Sequence, residues 1–161
     1  MTTRPHTVGE LIKAVIKAEK EARQFYHLLA IKFSHHDSSE FFRNMESDEG
    51  DHIRELDTLY SSLSQDKLKE VAPGKAVDII HAYLNYSAEE QTAKIMNLDD
   101  AYRMTVNLEF SELNKLKEMM FKLFDEEDKI TFEDIQSHLD RLKSFQADYP
   151  HTESRQTVKA K

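Results

Sequence analysis

The chain has 161 residues, enough for one compact domain with a sizeable core and few for two. Three Gly, three Pro and 32% charged residues favour long helices with few corners, and the absence of Cys excludes disulfides, thiolate-held zinc and any iron–sulfur or rubredoxin-type centre. A formal net charge of −8 disfavours nucleic-acid binding, which needs a Lys/Arg surface.

The first helical pattern opens at Thr7, with Glu10 three residues later in a capping box, and runs to about Phe33. Its apolar seam is Val8, Leu11, Val15, Glu19, Ala22, Tyr26, Leu29 and Phe33. A turn at His35–Asp37 follows, and Ser38 or Ser39 is the expected cap of a second helix. That seam reads Phe42, Met45, Glu49, His52, Leu56, Leu59 and Leu63. The connection over residues 64–97 holds a turn at Pro73–Gly74 and two short helical patterns, Lys75–Leu84 and Ala88–Ile95.

A third long pattern follows Asn97: Leu98, Tyr102, Thr105, Glu109, Glu112, Leu116, Met119 and Leu123. After a charged turn at Asp125–Lys129, a shorter one reads Ile135, His138, Leu142 and Phe145. The seams step by threes and fours, which keeps one stripe of each helix facing its neighbours. Two short connections and one long one predict an all-α, antiparallel four-helix bundle over residues 1–149, with a single crossover between helices two and three, the ferritin-like connectivity. Residues 150–161 are polar and without period, and read as a disordered tail. No apolar run approaches the ~18 residues of a membrane span. The polar start Met1–Pro5 lacks a signal-peptide core, so the expectation is a soluble cytoplasmic protein.

Glu19, Glu49, His52, Glu109, Glu112 and His138 all fall on apolar seams. A buried carboxylate costs several kcal/mol (order of magnitude) unless it is paired, protonated or bound to a cation. Converging carboxylates also repel one another. A cation relieves both costs, and two cations suit four carboxylates and two imidazoles better than one. In Glu49-Gly50-Asp51-His52 the i,i+3 spacing puts carboxylate and imidazole on one helix face. Oxygen and imidazole donors without thiolate favour iron or manganese, with zinc possible as a non-redox occupant. The other histidines His35, His36, His81 and His151 lack partner spacing and read as surface residues.

The run Glu19-Lys-Glu-Ala-Arg-Gln-Phe-Tyr26 followed by Glu49-Gly-Asp-His52 resembles the first half of the rubrerythrin-like, ferritin-like di-iron carboxylate family. The resemblance covers roughly Val8–Tyr60 and is thinner beyond. It implies that Glu19, Glu49 and His52 are iron ligands, with Tyr26 close to the site. Glu109-Phe-Ser-Glu112 resembles the family's third-helix Glu-x-x-Glu, and His138 its second His. Ile135 stands where that pattern has a Glu before this His. The resemblance implies a stand-alone bundle with two iron ions and peroxidase- or ferroxidase-like oxidoreductase activity. It would use peroxide or oxygen, take electrons from a separate donor protein, and form a homo-oligomer such as a dimer. The competing expectation, favoured by Ile135, is a non-catalytic bundle acting as a metal carrier or interaction protein.

Overall fold

The computed structural model describes residues 3–111 and is helical throughout its regular elements. The second half of the long third pattern, the whole fourth pattern, and with them Glu112, Ile135, His138 and the polar tail, lie outside the described residues.

The first helix, α1 (Val8–Lys32), starts where the sequence reading puts it. Thr7 Oγ1 accepts the Glu10 N–H at 3.2 Å, and the Glu10 carboxylate accepts the N–H groups of His6 and Thr7 at 2.7 and 3.2 Å. These two backbone donors hold the Glu10 carboxyl below its usual range. The second helix, α2 (Ser38–Ser62), is capped differently from expectation. Neither Ser38 nor Ser39 acts as the cap; both are buried inside the first turn, and the His36 imidazole accepts the Ser38 N–H at 3.0 Å. An imidazole nitrogen is an acceptor as good as a hydroxyl, and the five-residue turn leaves His36, not a serine, beyond the helix end.

The two helices form an antiparallel hairpin. Leu11, Ile12, Val15 and Ile16 of early α1 pack with Ile53, Leu56 and Leu59 of late α2. Phe25, Tyr26, Leu29 and Ala30 of late α1 pack with Phe42 and Met45 of early α2. Each fully buried Leu, Ile or Phe contributes about 1.5–3 kcal/mol, so these two apolar cores carry the hairpin.

The connection then runs along α1. The five-residue helix α3 (Gln65–Lys69), capped by Ser64 and not foreseen in the sequence, lays Leu68 against Gly9. An antiparallel bridge between Thr7 and Val71 follows, with Val8 N–H on the Glu70 carbonyl and Ala72 N–H on the His6 carbonyl, each at 2.9 Å. Helix α4 (Gly74–His81) adds Ala76, Val77 and Ile80 to the first core. It closes three residues short of the expected Leu84, in consecutive turns over residues 82–84 that bond back to Ile79, Ile80 and His81. Helix α5 (Ala88–Ala93) reaches the other half of α1: its Ala88 N–H donates to Glu21 Oε2 at 2.9 Å, and Lys32 Nζ donates to the Thr92 carbonyl at 3.2 Å. Residues 64–97 thus touch α1 first at its N-terminus and last near its C-terminus.

Helix α6 (Leu98–Glu109), capped by Asn97, joins the second core through Ala101. The sequence pattern predicts a helix unbroken to Leu123. Instead α6 closes at Phe110, whose N–H bonds the Val106 and Leu108 carbonyls, and Ser111 N–H bonds Leu108 at 3.2 Å. Phe110 is 61% exposed, so no packing offsets the weak helix preference of a Phe-Ser pair. Glu112, which the sequence pattern puts on one face with Glu109, lies outside the described residues.

Two glycines of the hairpin differ in what they permit. A methyl built on Gly50 meets the Arg23 and Arg54 guanidinium groups at 3.7 Å, ordinary contact, whereas on Gly9 it meets the Leu68 carbonyl oxygen at 3.2 Å. Gly50→Ala is expected to raise stability by about 0.5–1 kcal/mol through helix preference alone. Gly9→Ala should yield none of that gain because α3 must shift. Urea unfolding of both variants measures the difference, and a destabilised Gly50→Ala would show that the helix crossing there has no spare room.

Candidate metal centre

Between the two apolar cores lies a polar layer. The first core ends at Ala18 on α1 and begins at Ile53 on α2; the second begins at Phe25 on α1 and ends at Met45 on α2. Glu19 and Ala22 from α1, and Glu49 and His52 from α2, fill the gap. The helical period forces this. Glu19 follows Val15 by four and precedes Ala22 by three, while Glu49 follows Met45 by four and precedes His52 by three, and His52 precedes Leu56 by four.

The three ionisable side chains are 1%, 2% and 3% exposed for Glu19, Glu49 and His52. His52 Nδ1 lies 3.0 Å from Glu49 Oε2 and 3.6 Å from Glu19 Oε2. One ligand atom from each falls within 4.8 Å of the others. Neighbouring donors on one ion with bonds of about 2.1 Å stand about 3.0–3.4 Å apart, close to the 3.0 and 3.6 Å of the two His52 contacts. The donors can therefore reach one ion with small side-chain adjustments. Apolar residues of similar volume would fill this layer without any desolvation cost. The layer is thus a poor choice for stability alone and a good one for binding a cation.

Glu109, 3% exposed, enters the same core from α6 but stands outside the triad's 4.8 Å grouping among the described residues. Its Oε1 accepts a hydrogen bond from the Tyr26 hydroxyl. Tyr26 is fully buried, and burial, followed by the negative charges of Glu109 and Glu49, pushes its phenol well above the usual tyrosine range. Tyr86, half-buried in the connection between α4 and α5, is pushed up for the same kind of reason: burial first, then Glu21, Glu109 and Glu49.

Of the residues singled out in the sequence, the structure brings Glu19, Glu49 and His52 together, with Tyr26 and Glu109 as a bonded pair beside them. His35, His36 and His81 are exposed, as read. Tyr86 escaped the sequence reading because its segment has no helical period to announce a buried face.

No helix among the described residues is long and apolar enough to cross a membrane. Compared with protein-family models, curated proteins and solved structures, the chain matches none. The fold and site together define an all-helical protein with a buried carboxylate–imidazole cluster suited to a metal ion.

Proposed function

We propose that this chain is a metal-binding helical bundle of the ferritin-like, rubrerythrin kind, with iron as its metal and peroxidase- or ferroxidase-like oxidation as its activity. The observation that carries the reading is the convergence of Glu19, Glu49 and His52 in a layer shut off from solvent. The donor set, two carboxylates and an imidazole without sulfur, fits iron or manganese best and admits zinc. The connection over residues 64–97, which travels the length of α1, supports the crossover that such bundles use.

In this reading Glu19, Glu49 and His52 hold the first ion. Glu109 serves the second, joined by Glu112 and His138 from beyond the described residues. Bound iron supplies the one-electron redox change, with peroxide or oxygen as oxidant and a separate protein as electron donor. The chain's own part is to bind, orient and exclude water. The Phe25–Met45 core and the Leu11–Leu56 core seal the layer on both sides. The Tyr26 hydroxyl fixes the Glu109 carboxylate and keeps its own proton there.

A narrower reading, a single-ion carrier, has one observation in its favour: α6 closes at Glu109, and that carboxylate is engaged by Tyr26 rather than grouped with the triad. Anaerobic titration with ferrous iron separates the two by stoichiometry, two ions against one. Glu49→Ala together with His52→Ala is expected to abolish tight iron binding while leaving the helical circular dichroism intact. Full metal retention by that double variant would sink the assignment.

A further inference from the structure

The two apolar cores leave the same gap in the connection between α4 and α5 that they leave in the hairpin. Tyr83 and Leu84 still pack against the first core, and Ala88 is already part of the second. Asn85, Tyr86 and Ser87 lie between them, as Glu19 and Ala22 do on α1 and Glu49 and His52 on α2. A hydrogen bond fixes the level independently. The Ala88 N–H donates to Glu21 Oε2 at 2.9 Å, and Glu21 stands between Glu19 and Ala22 on α1. This stretch therefore passes α1 at the level of the carboxylate–imidazole layer.

Tyr86 is half-buried there. Its phenol feels the negative charges of Glu21 on α1, Glu109 on α6 and Glu49 on α2, and Tyr26 feels Tyr86 in turn. Such charges act strongly only at short range, so the phenol stands beside the layer while part of the residue meets solvent. Its backbone sets it apart. Glu19, Glu49 and His52 stand in the middle of 25-residue helices, whereas residues 82–87 follow turns and irregular chain, with the Tyr86 N–H on the Tyr83 carbonyl at 3.1 Å. A side chain on such a segment can swing outward without breaking a helical ladder. The other approaches to the layer suit a cation poorly. Apolar cores close it on both sides. The hairpin surface at the same level, over Gly50, lies under the Arg23 and Arg54 guanidinium groups, which repel a cation, while Glu21 beside Tyr86 attracts one.

We propose that Tyr86 is the gate of the metal centre: its ring covers the layer where residues 85–87 pass it, and a divalent cation enters and leaves there when the ring swings out. The inference rests on the reading of Glu19, Glu49 and His52 as that centre. The phenol suits the task because its ring excludes water while its hydroxyl is at ease among carboxylates or in solvent.

Cobalt(II), which oxygen and imidazole donors also bind and whose visible absorption changes when it leaves water, is the probe. Uptake by the full metal-free chain and release into excess chelator are followed by stopped flow in wild type, Tyr86→Ala, Tyr86→Phe and Tyr86→Trp, with the dissociation constant measured in each. A group that guards an entrance changes the barrier and leaves the end states alone, so both rates move by one factor. Tyr86→Ala is expected to speed uptake and release alike by about tenfold, with the dissociation constant within about twofold of wild type. Tyr86→Phe should keep both rates within about twofold of wild type, and Tyr86→Trp should slow both. Should Tyr86→Ala lose its helical circular dichroism, Tyr86→Trp carries the test. Wild-type rates in Tyr86→Ala, or in Tyr86→Trp, would overturn the proposal while leaving the metal centre standing. Faster release without faster uptake in Tyr86→Ala, with weaker affinity to match, would make Tyr86 a support of the bound state and overturn it as well. A wild-type chain that takes up no cobalt would overturn both readings.

Discussion

Stripping metal from the purified protein with a chelator is expected to lower its melting temperature by about 10 °C. A ligand that binds only the native state stabilises it by about 4 kcal/mol at a thousandfold excess over its dissociation constant, and each kcal/mol moves the midpoint of a domain of this size by about 2–4 °C. The effect is large here because the metal-free layer is unfavourable in itself. Glu19 and Glu49 are almost wholly buried and converge on one imidazole, so without a cation two carboxylates share a site that repels them. Glu19→Leu should show the other side of the same balance. In the metal-free protein it should cost little or even stabilise, since an apolar side chain of similar volume replaces a buried charge. In the metal-loaded protein it should lose the stabilisation by iron. Differential scanning calorimetry of both proteins, with and without chelator, gives all four midpoints. Coincident melting curves for wild type in the two conditions would remove the metal from the account of stability.

Tyr26→Phe is expected to destabilise the protein by about 1.5–3 kcal/mol at neutral pH, the range for a hydrogen bond to a charged acceptor. The ring stays and its packing against Phe25 with it, centroids 5.4 Å apart. The change therefore isolates the hydroxyl that Glu109 accepts across 83 positions of sequence. The same residue governs alkaline stability, and the sign follows from proton counting. An unfolded tyrosine ionises near pH 10. In the fold, burial and the charges of Glu109 and Glu49 hold Tyr26 protonated above that, and Tyr86 behaves likewise. Between the unfolded and folded values the native state binds more protons than the unfolded one, so stability is full below about pH 10 and falls as pH rises. Each such tyrosine contributes a slope of up to about 1.4 kcal/mol per pH unit. Urea unfolding of the metal-free protein between neutral pH and pH 12 should show this decline, and Tyr26→Phe should flatten it by one tyrosine's share. An unchanged slope in the variant would mean that Tyr26 ionises freely in the native state.

The hairpin and its triad were legible in the sequence for one physical reason. Helical side chains recur with a fixed period, and a residue's place on that period sets whether it faces a neighbouring helix. Val15, Glu19 and Ala22 could be put on one stripe, and Met45, Glu49, His52 and Leu56 on another, from spacing alone. Burial of these residues followed. So did the capping box at Thr7 and Glu10, because its bonds close within four residues. What spacing does not carry is register between elements far apart in the chain. The imidazole of His36 standing in for a serine cap and the closing of α6 at Phe110 are local choices that an apolar seam does not record, whereas the bridge that ties Val71 to Thr7 depends on what lies opposite. The assignment of Glu109 to Tyr26 belongs to the same group. A period names the face on which a side chain stands; only packing of one face on another decides which atoms it meets.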